Sequence, residues 1–309
     1  MSDNADIVRE VAPQNVRPTR EMFDLYDQYC HNLIDRRTFM ERLGGLAAGG
    51  VTAAMLAEAL LPKYASALQL REDDPSIVGE RTTYASPEGA GKQGKQMGGY
   101  LVRPAKPRSA KLPAIVVVHE NRGLNPHIAD VARRAAAAGF LAFAPDALYP
   151  LGGYPGTDDE GRALQVSRNG AEMLEDFIAA VKLMQAHPDC TGKVGIVGFC
   201  YGGGVCNNVA ARVPTLAASA PYYGAAAPLE DVSKIKAPLL ITLAGLDERV
   251  NAAYPAYEEA LKKAGKTYTL HTYAGCQHGF HNDTTPRFDP ENARVAWNRT
   301  LEFFRQHLT

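Results

Sequence analysis

Charge imbalance is what this chain most lacks: 33 Lys and Arg stand against 34 Asp and Glu, a formal net charge of −1. A surface so balanced gives no electrostatic basis for binding nucleic acid or an anionic membrane. Cysteine is scarce as well. The five cysteines (Cys30, Cys190, Cys200, Cys206, Cys276) form no C-x-x-C pair and no metal-ligand spacing, and an odd number does not suit a full disulfide framework. No apolar run is long or apolar enough for a convincing membrane span, which needs about 20 residues. No segment repeats. What remains is an ordinary globular composition, 46% hydrophobic and 22% charged, enough for one α/β domain with an N-terminal extension.

The most informative stretch is Gly198-Phe199-Cys200-Tyr201-Gly202. It follows the apolar run Lys193 to Val197, read as a buried strand, and precedes Gly203-Gly204 and the helix-compatible Val205 to Arg212. A strand that turns sharply into a helix needs residues without a bulky Cβ beside the turn. The pattern is the G-x-S-x-G nucleophile elbow with cysteine in place of serine. Such a turn exposes the Cys200 sulfur at a helix N-terminus, where the dipole favours a thiolate. The alternative is a glycine-rich turn holding a buried structural cysteine.

Downstream, Pro238 to Leu243 reads as a second strand ending in Ala244-Gly245-Leu246-Asp247. Tyr268 to Tyr273 reads as a third, followed by Gly275-Cys276-Gln277-His278-Gly279. Nucleophile, acid and His, each just past a strand, is the chain order of the α/β-hydrolase triad. Cys200, Asp247 and His278 are therefore the candidate catalytic residues. Earlier, the β-branched run Pro113 to Val118 reads as a strand buried on both faces. It ends in His119-Glu120-Asn121-Arg122-Gly123, before the helix-like Ile128 to Ala138.

Together, G-F-C-Y-G-G, G-L-D, H-G-F and this His-Glu segment resemble the dienelactone hydrolase (carboxymethylenebutenolidase) family, from about Thr82 to the C-terminus. The resemblance implies an α/β-hydrolase fold, with a mostly parallel central sheet and helices on both faces. It implies hydrolysis of ester or lactone bonds by Cys200, Asp247 and His278 without a cofactor. It further implies that Glu120 assists ionisation of the thiol and that the backbone N–H groups of Asn121 and Tyr201 form the oxyanion hole. Family members that take the acidic dienelactone are expected to carry Arg four residues after the catalytic His. Here that position is Asn282, with Arg287, Arg162 and Arg168 as the cations that could substitute. H-E-x-x-H is absent, because position 123 is Gly, so no metal is expected.

Cysteine itself narrows the chemistry. A thiol is intrinsically a stronger nucleophile than a hydroxyl and also a better leaving group. Activated esters and lactones with stabilised leaving groups suit it better than triglycerides or amides. A broad carboxylesterase and a non-catalytic ligand-binding homologue are the competing readings.

Residues 1–75 fall outside the hydrolase pattern, which occupies 76–309. Met22, Phe23, Tyr26 and Tyr29 share one face of an expected helix. Asp35-Arg36-Arg37-Thr38-Phe39 then precedes the Gly/Ala-rich run 43–57 and the small-residue site Ala65-Ser66-Ala67. This resembles a twin-arginine export signal, which implies a periplasmic protein. Against it stand the long region before the arginines, Glu41 and Glu58. The alternative is a retained helical arm, packed on the hydrolase domain or on a second subunit of a homo-oligomer. The Gly/Pro-rich stretch 149–156 is too long for a plain connection and reads as a lid or substrate contact.

Overall fold

The computed structural model describes residues 17–48, 50–64 and 67–308. These form two compact units that divide between Pro62 and Lys63. The first contains helices α1 (Arg20–Cys30), α2 (Arg36–Gly45) and α3 (Ala53–Leu60). Thr19 caps α1, and Met22, Leu25, Tyr26 and Tyr29 are buried on one face with Phe23 partly buried beside them. Tyr29 stacks on Phe39 with ring centroids 4.6 Å apart. Asp35 caps α2 by accepting the Thr38 N–H at 2.7 Å, so Arg36 and Arg37 form its first turn. The run 43–57 is two short helices rather than one. Gly44 and Gly45 end α2, and Gly50 takes a left-handed φ of 84° before Thr52 caps α3. Gly49 of that run, and Ala65 and Ser66 of the small-residue site, lie outside the described residues. Among the described residues no helix is long and apolar enough to cross a membrane.

The second unit is built on eight strands: β1 (Ile77–Tyr84), β2 (Met97–Pro104), β3 (Leu112–Val118), β4 (Leu141–Asp146), β5 (Cys190–Phe199), β6 (Ala218–Tyr222), β7 (Leu239–Ala244) and β8 (Tyr268–Tyr273). Their order is β1-β2-β4-β3-β5-β6-β7-β8. The hairpin β1–β2 and the β2–β4 pair are antiparallel and every other pair is parallel. Parallel pairing requires crossovers. They are made by α4 (Pro126–Ala137), α5 (Asp158–Ser167), α6 (Gly170–Ala186), α7 (Tyr201–Arg212), α8 (Glu248–Asn251) and α9 (Tyr254–Lys263), with a 3-10 turn at Leu229–Lys234 between β6 and β7, and α10 (Pro290–His307) follows β8. One core packs α6, α7 and α9 on one face of the sheet, and another packs α4 and α10 on the other. The carboxyl ends of β3 to β8 therefore share one edge, and Glu120, Cys200, Asp247 and His278 all follow strands that end there. In open α/β sheets ligands bind at that edge.

β6 and α5 are among the elements that escaped the sequence reading, as are α8 and α9. β6 has five residues with Ala, Ser and Pro in place of a β-branched run. α5 begins right after the Gly/Pro-rich stretch, where Thr157 caps it and Asp158, Asp159 and Glu160 fill the dipole-favoured first turn. Arg168, considered above as a substrate contact, ties secondary structure together instead. It pairs with the fully buried Asp176 at 2.9 Å and donates to the Ala147 carbonyl at 2.6 Å.

Burial also sets an acid limit on this fold. His281 is 2% exposed, and burial, with Arg134 and His127 nearby, holds its pKa well below the ordinary imidazole value. The fully buried His119 is lowered for the same first reason. Above about pH 6.5 both rings are neutral in either state and contribute no pH dependence. Below it the unfolded chain takes up protons that the folded one refuses, so stability falls as pH drops. Carboxylates such as Asp289, lowered chiefly by the Asn292 N–H, act in a separate range, losing stabilisation only as pH falls below the ordinary 3.8. Tm is therefore expected to decline between about pH 6.5 and 5. His281→Phe, which keeps an aromatic ring there, is expected to flatten part of that decline. A flat Tm over this interval would contradict the assignment.

Candidate active site

The site is organised by the turn from β5 into α7. Cys200 has φ 55° and ψ −113°, a conformation an L-residue adopts only under constraint. Two glycines make the turn possible. A Cβ on Gly198 would lie 2.3 Å from the Gly202 carbonyl oxygen, and one on Gly202 would lie 2.5 Å from that of Val118. Either contact would force β5, α7 and β3 apart. The Cys200 N–H donates to the Tyr222 carbonyl at 3.0 Å, and the Cys200 carbonyl accepts from Gly203 and Gly204 as the helix starts. The thiol thus sits at the N-terminus of a 12-residue helix, and Cys200 is 8% exposed.

His278 and Asp247 meet it from β8 and β7. Asp247 caps α8 through the Val250 N–H at 3.2 Å. Its other carboxylate oxygen accepts from His278 Nδ1 at 2.5 Å. A ring nitrogen of His278 lies within 4.8 Å of the Cys200 Sγ. With Nδ1 committed to the carboxylate, the arrangement is one in which the other nitrogen could serve as a base. Asp247 and His278 are 5% and 6% exposed, which keeps their interaction poorly screened.

Glu120 begins the loop after β3 and is itself buried. Its carboxylate Oε2 accepts from Asn282 Nδ2 at 3.0 Å, while the Asn282 Oδ1 accepts from the Thr284 N–H and hydroxyl. The preceding His119 has both ring nitrogens engaged. Nε2 accepts the Ala147 N–H at 3.0 Å, so it is unprotonated, and Nδ1 must be the nitrogen that donates to the Glu120 carbonyl. His119 therefore anchors the loop and has no lone pair left for a metal. Next along, Asn121 and Arg122 are fixed by the buried Arg122–Asp158 ion pair at 2.5 Å, and Tyr64 and Tyr154 also donate to Asp158. The loop that carries the Asn121 N–H is thus clamped to α5, and the Tyr201 N–H belongs to the first residue of α7.

Of the cations considered, Arg287 is 8% exposed, with its guanidinium 3.4 Å from where a Gly279 Cβ would be. Arg162 lies on α5, where it pairs with Asp159 at 3.3 Å. The other cysteines near the motif are structural. Cys206 is fully buried in the core, and burial raises its thiol pKa well above the ordinary value. Cys276 donates toward Asp289 at 3.6 Å, and burial pushes its pKa up to about 12. Sequence reasoning missed Tyr223, which follows β6 with φ 35° and places its ring centroid 5.0 Å from that of His278. No motif marks it. It is found only once β6 is in place.

A sequence model described as the dienelactone hydrolase family matches residues 97–308, and a second, described as YqhI-like, matches residues 19–48. A protein of Escherichia coli (strain K12) named "Putative hydrolase fragment YghX" is 58% identical over 115 residues, covering 37% of this chain and 94% of that protein. "Probable 2-oxo-3-(5-oxofuran-2-ylidene)propanoate lactonase" of Bradyrhizobium sp is 31% identical over 232 residues, covering 71% and 92% respectively. Among solved structures, "Putative Dienelactone Hydrolase" from Klebsiella pneumoniae superposes with a TM-score of 0.65 at 26% identity, covering 74% of this chain and 99% of that one.

Proposed function

The chain belongs to the dienelactone hydrolase family, hydrolases of ester and lactone bonds, and on that premise we propose that it cleaves small activated esters or lactones through a Cys200 thioester. The observation that carries this reading is the convergence of Asp247, His278 and Cys200 at one sheet edge, with His278 Nδ1 bound to Asp247 at 2.5 Å and an imidazole nitrogen within 4.8 Å of the sulfur. In the first half-reaction the thiol proton passes to His278 and the sulfur attacks the carbonyl carbon. The carbonyl electrons move onto oxygen, to which the Asn121 and Tyr201 N–H groups donate hydrogen bonds. Collapse breaks the C–O bond, and His278 returns its proton to the leaving oxygen. Water, deprotonated by His278, then attacks the thioester and releases the acid and the thiol. Glu120, held by Asn282, is assigned to assist ionisation of Cys200.

Cys200→Ala is expected to abolish p-nitrophenyl acetate turnover. Iodoacetamide at mildly acidic pH is expected to modify Cys200 ahead of the other cysteines, with activity lost in step. Asp247→Ala is expected to retain more activity than His278→Ala, as orienting residues often do. Full activity in Cys200→Ala would overturn the assignment. A wild type without turnover would favour the ligand-binding alternative.

Substrate charge can be argued from the same residues. Asn282 carries no charge and gives its amide to Glu120, so it is poorly placed to anchor a substrate carboxylate. A lost Arg–carboxylate contact is worth on the order of 1.5–3 kcal/mol, roughly ten- to a hundred-fold in selectivity. An uncharged lactone is therefore expected to be cleaved with a kcat/KM at least equal to that of a carboxylated dienelactone of similar size. A strong preference for the acid that Arg287→Ala or Arg162→Ala removes would show that another cation has taken over, and would contradict this specificity.

A further inference from the structure

Tyr223 combines three features that packing alone does not explain. Its backbone is left-handed at φ 35°, rare for a bulky aromatic residue. The residue is 1% exposed, yet its hydroxyl has no hydrogen-bond partner among the described residues. Its ring stands beside the imidazole of His278 at 5.0 Å, tilted by 60°. A buried unpartnered hydroxyl destabilises the resting protein, and most buried hydroxyls find a partner. Strained, unsatisfied groups concentrate where a ligand completes them.

The surrounding chain holds this arrangement firmly. The Tyr223 N–H donates to the Thr242 carbonyl at 2.7 Å, and the Tyr222 carbonyl receives the Cys200 N–H at 3.0 Å. Just beyond, the Gly224 carbonyl accepts from the Tyr254 hydroxyl and the Ala225 carbonyl accepts from Asn207, both at 2.8 Å. The single peptide group between Tyr222 and Tyr223 thus ties the side chain to the nucleophile through its carbonyl and to β7 through its N–H.

Resting on the triad reading above, we propose that the Tyr223 hydroxyl is a substrate contact, donating a hydrogen bond to an oxygen of the ester group under attack at Cys200. Its donor role is secured by its surroundings. Burial first, then the neighbouring Glu120 and Cys200 charges, hold the phenol well above its ordinary pKa, with Arg287 opposing. It therefore stays protonated and takes no proton from the thiol, leaving that step to His278. Its hydrogen bond strengthens as negative charge develops on that oxygen, so the binding it provides favours the transition state over the bound substrate.

Tyr223→Phe removes the oxygen and nothing else. It is expected to lower kcat/KM for p-nitrophenyl acetate by about 10- to 100-fold, mainly through kcat. Tm is expected to stay the same or rise, because the lost hydroxyl had no partner in the free protein. Alkylation of Cys200 by iodoacetamide, a displacement at carbon that forms no oxyanion, is expected to keep its wild-type rate. Wild-type kcat/KM in Tyr223→Phe, with Cys200→Ala inactive, would overturn this proposal and leave the triad standing. A lowered Tm would make the hydroxyl structural and overturn it too. Activity in Cys200→Ala would instead remove the triad reading on which it rests.

Discussion

One backbone turn, at Cys200, fixes the geometry on which everything else at the sheet edge depends. Held at φ 55°, that residue costs about 1–3 kcal/mol of strain, which only a rigid surround can impose. The surround is the buried parallel sheet. Gly198 and Gly202 let α7 approach β5 and the Val118 carbonyl of β3 more closely than any side chain would permit. The same turn passes the Cys200 N–H to the end of β6. Three neighbouring strands are thereby keyed to one sulfur atom.

Around that turn, buried polar groups are placed by specific partners. His119, trapped in one tautomer between Ala147 and the Glu120 carbonyl, sets where the loop after β3 leaves the sheet. Arg122 and Asp158 clamp the same loop to α5 through an ion pair that water scarcely reaches. Asn282 reaches across from the loop of His278 to hold the Glu120 carboxylate. Removing one partner of such a pair leaves the other buried and unsatisfied, so these contacts resist independent change. The result is a preorganised site, in which donors and charges are in position before substrate arrives.

The sequence disclosed the residues of the candidate site better than their scaffolding. Strands β3, β5, β7 and β8 were readable because each is apolar or β-branched and is followed at once by a chemically distinctive residue: Glu120, Cys200, Asp247, His278. The elbow was readable because its glycines are forced by backbone contact. By contrast, β6 is short and built of Ala, Ser, Pro and Tyr, so neither it nor Tyr223 had a periodic signature. The Asn282–Glu120 contact joins residues 162 positions apart, and local pattern carries no trace of it. Arg168 illustrates the converse. A charged residue after a glycine-rich stretch looks available for substrate until tertiary structure shows it neutralising the fully buried Asp176.

The central claim is that acyl transfer proceeds through the Cys200 sulfur. Rapid acid quench of the protein during turnover of a slowly hydrolysed p-nitrophenyl ester, followed by intact-mass and peptide mass spectrometry, tests it directly. The account predicts a covalent adduct of one acyl group per chain, located on the peptide containing Cys200 and released by hydroxylamine as a thioester should be. An adduct on another residue, or turnover unaffected by prior alkylation of Cys200, would contradict it.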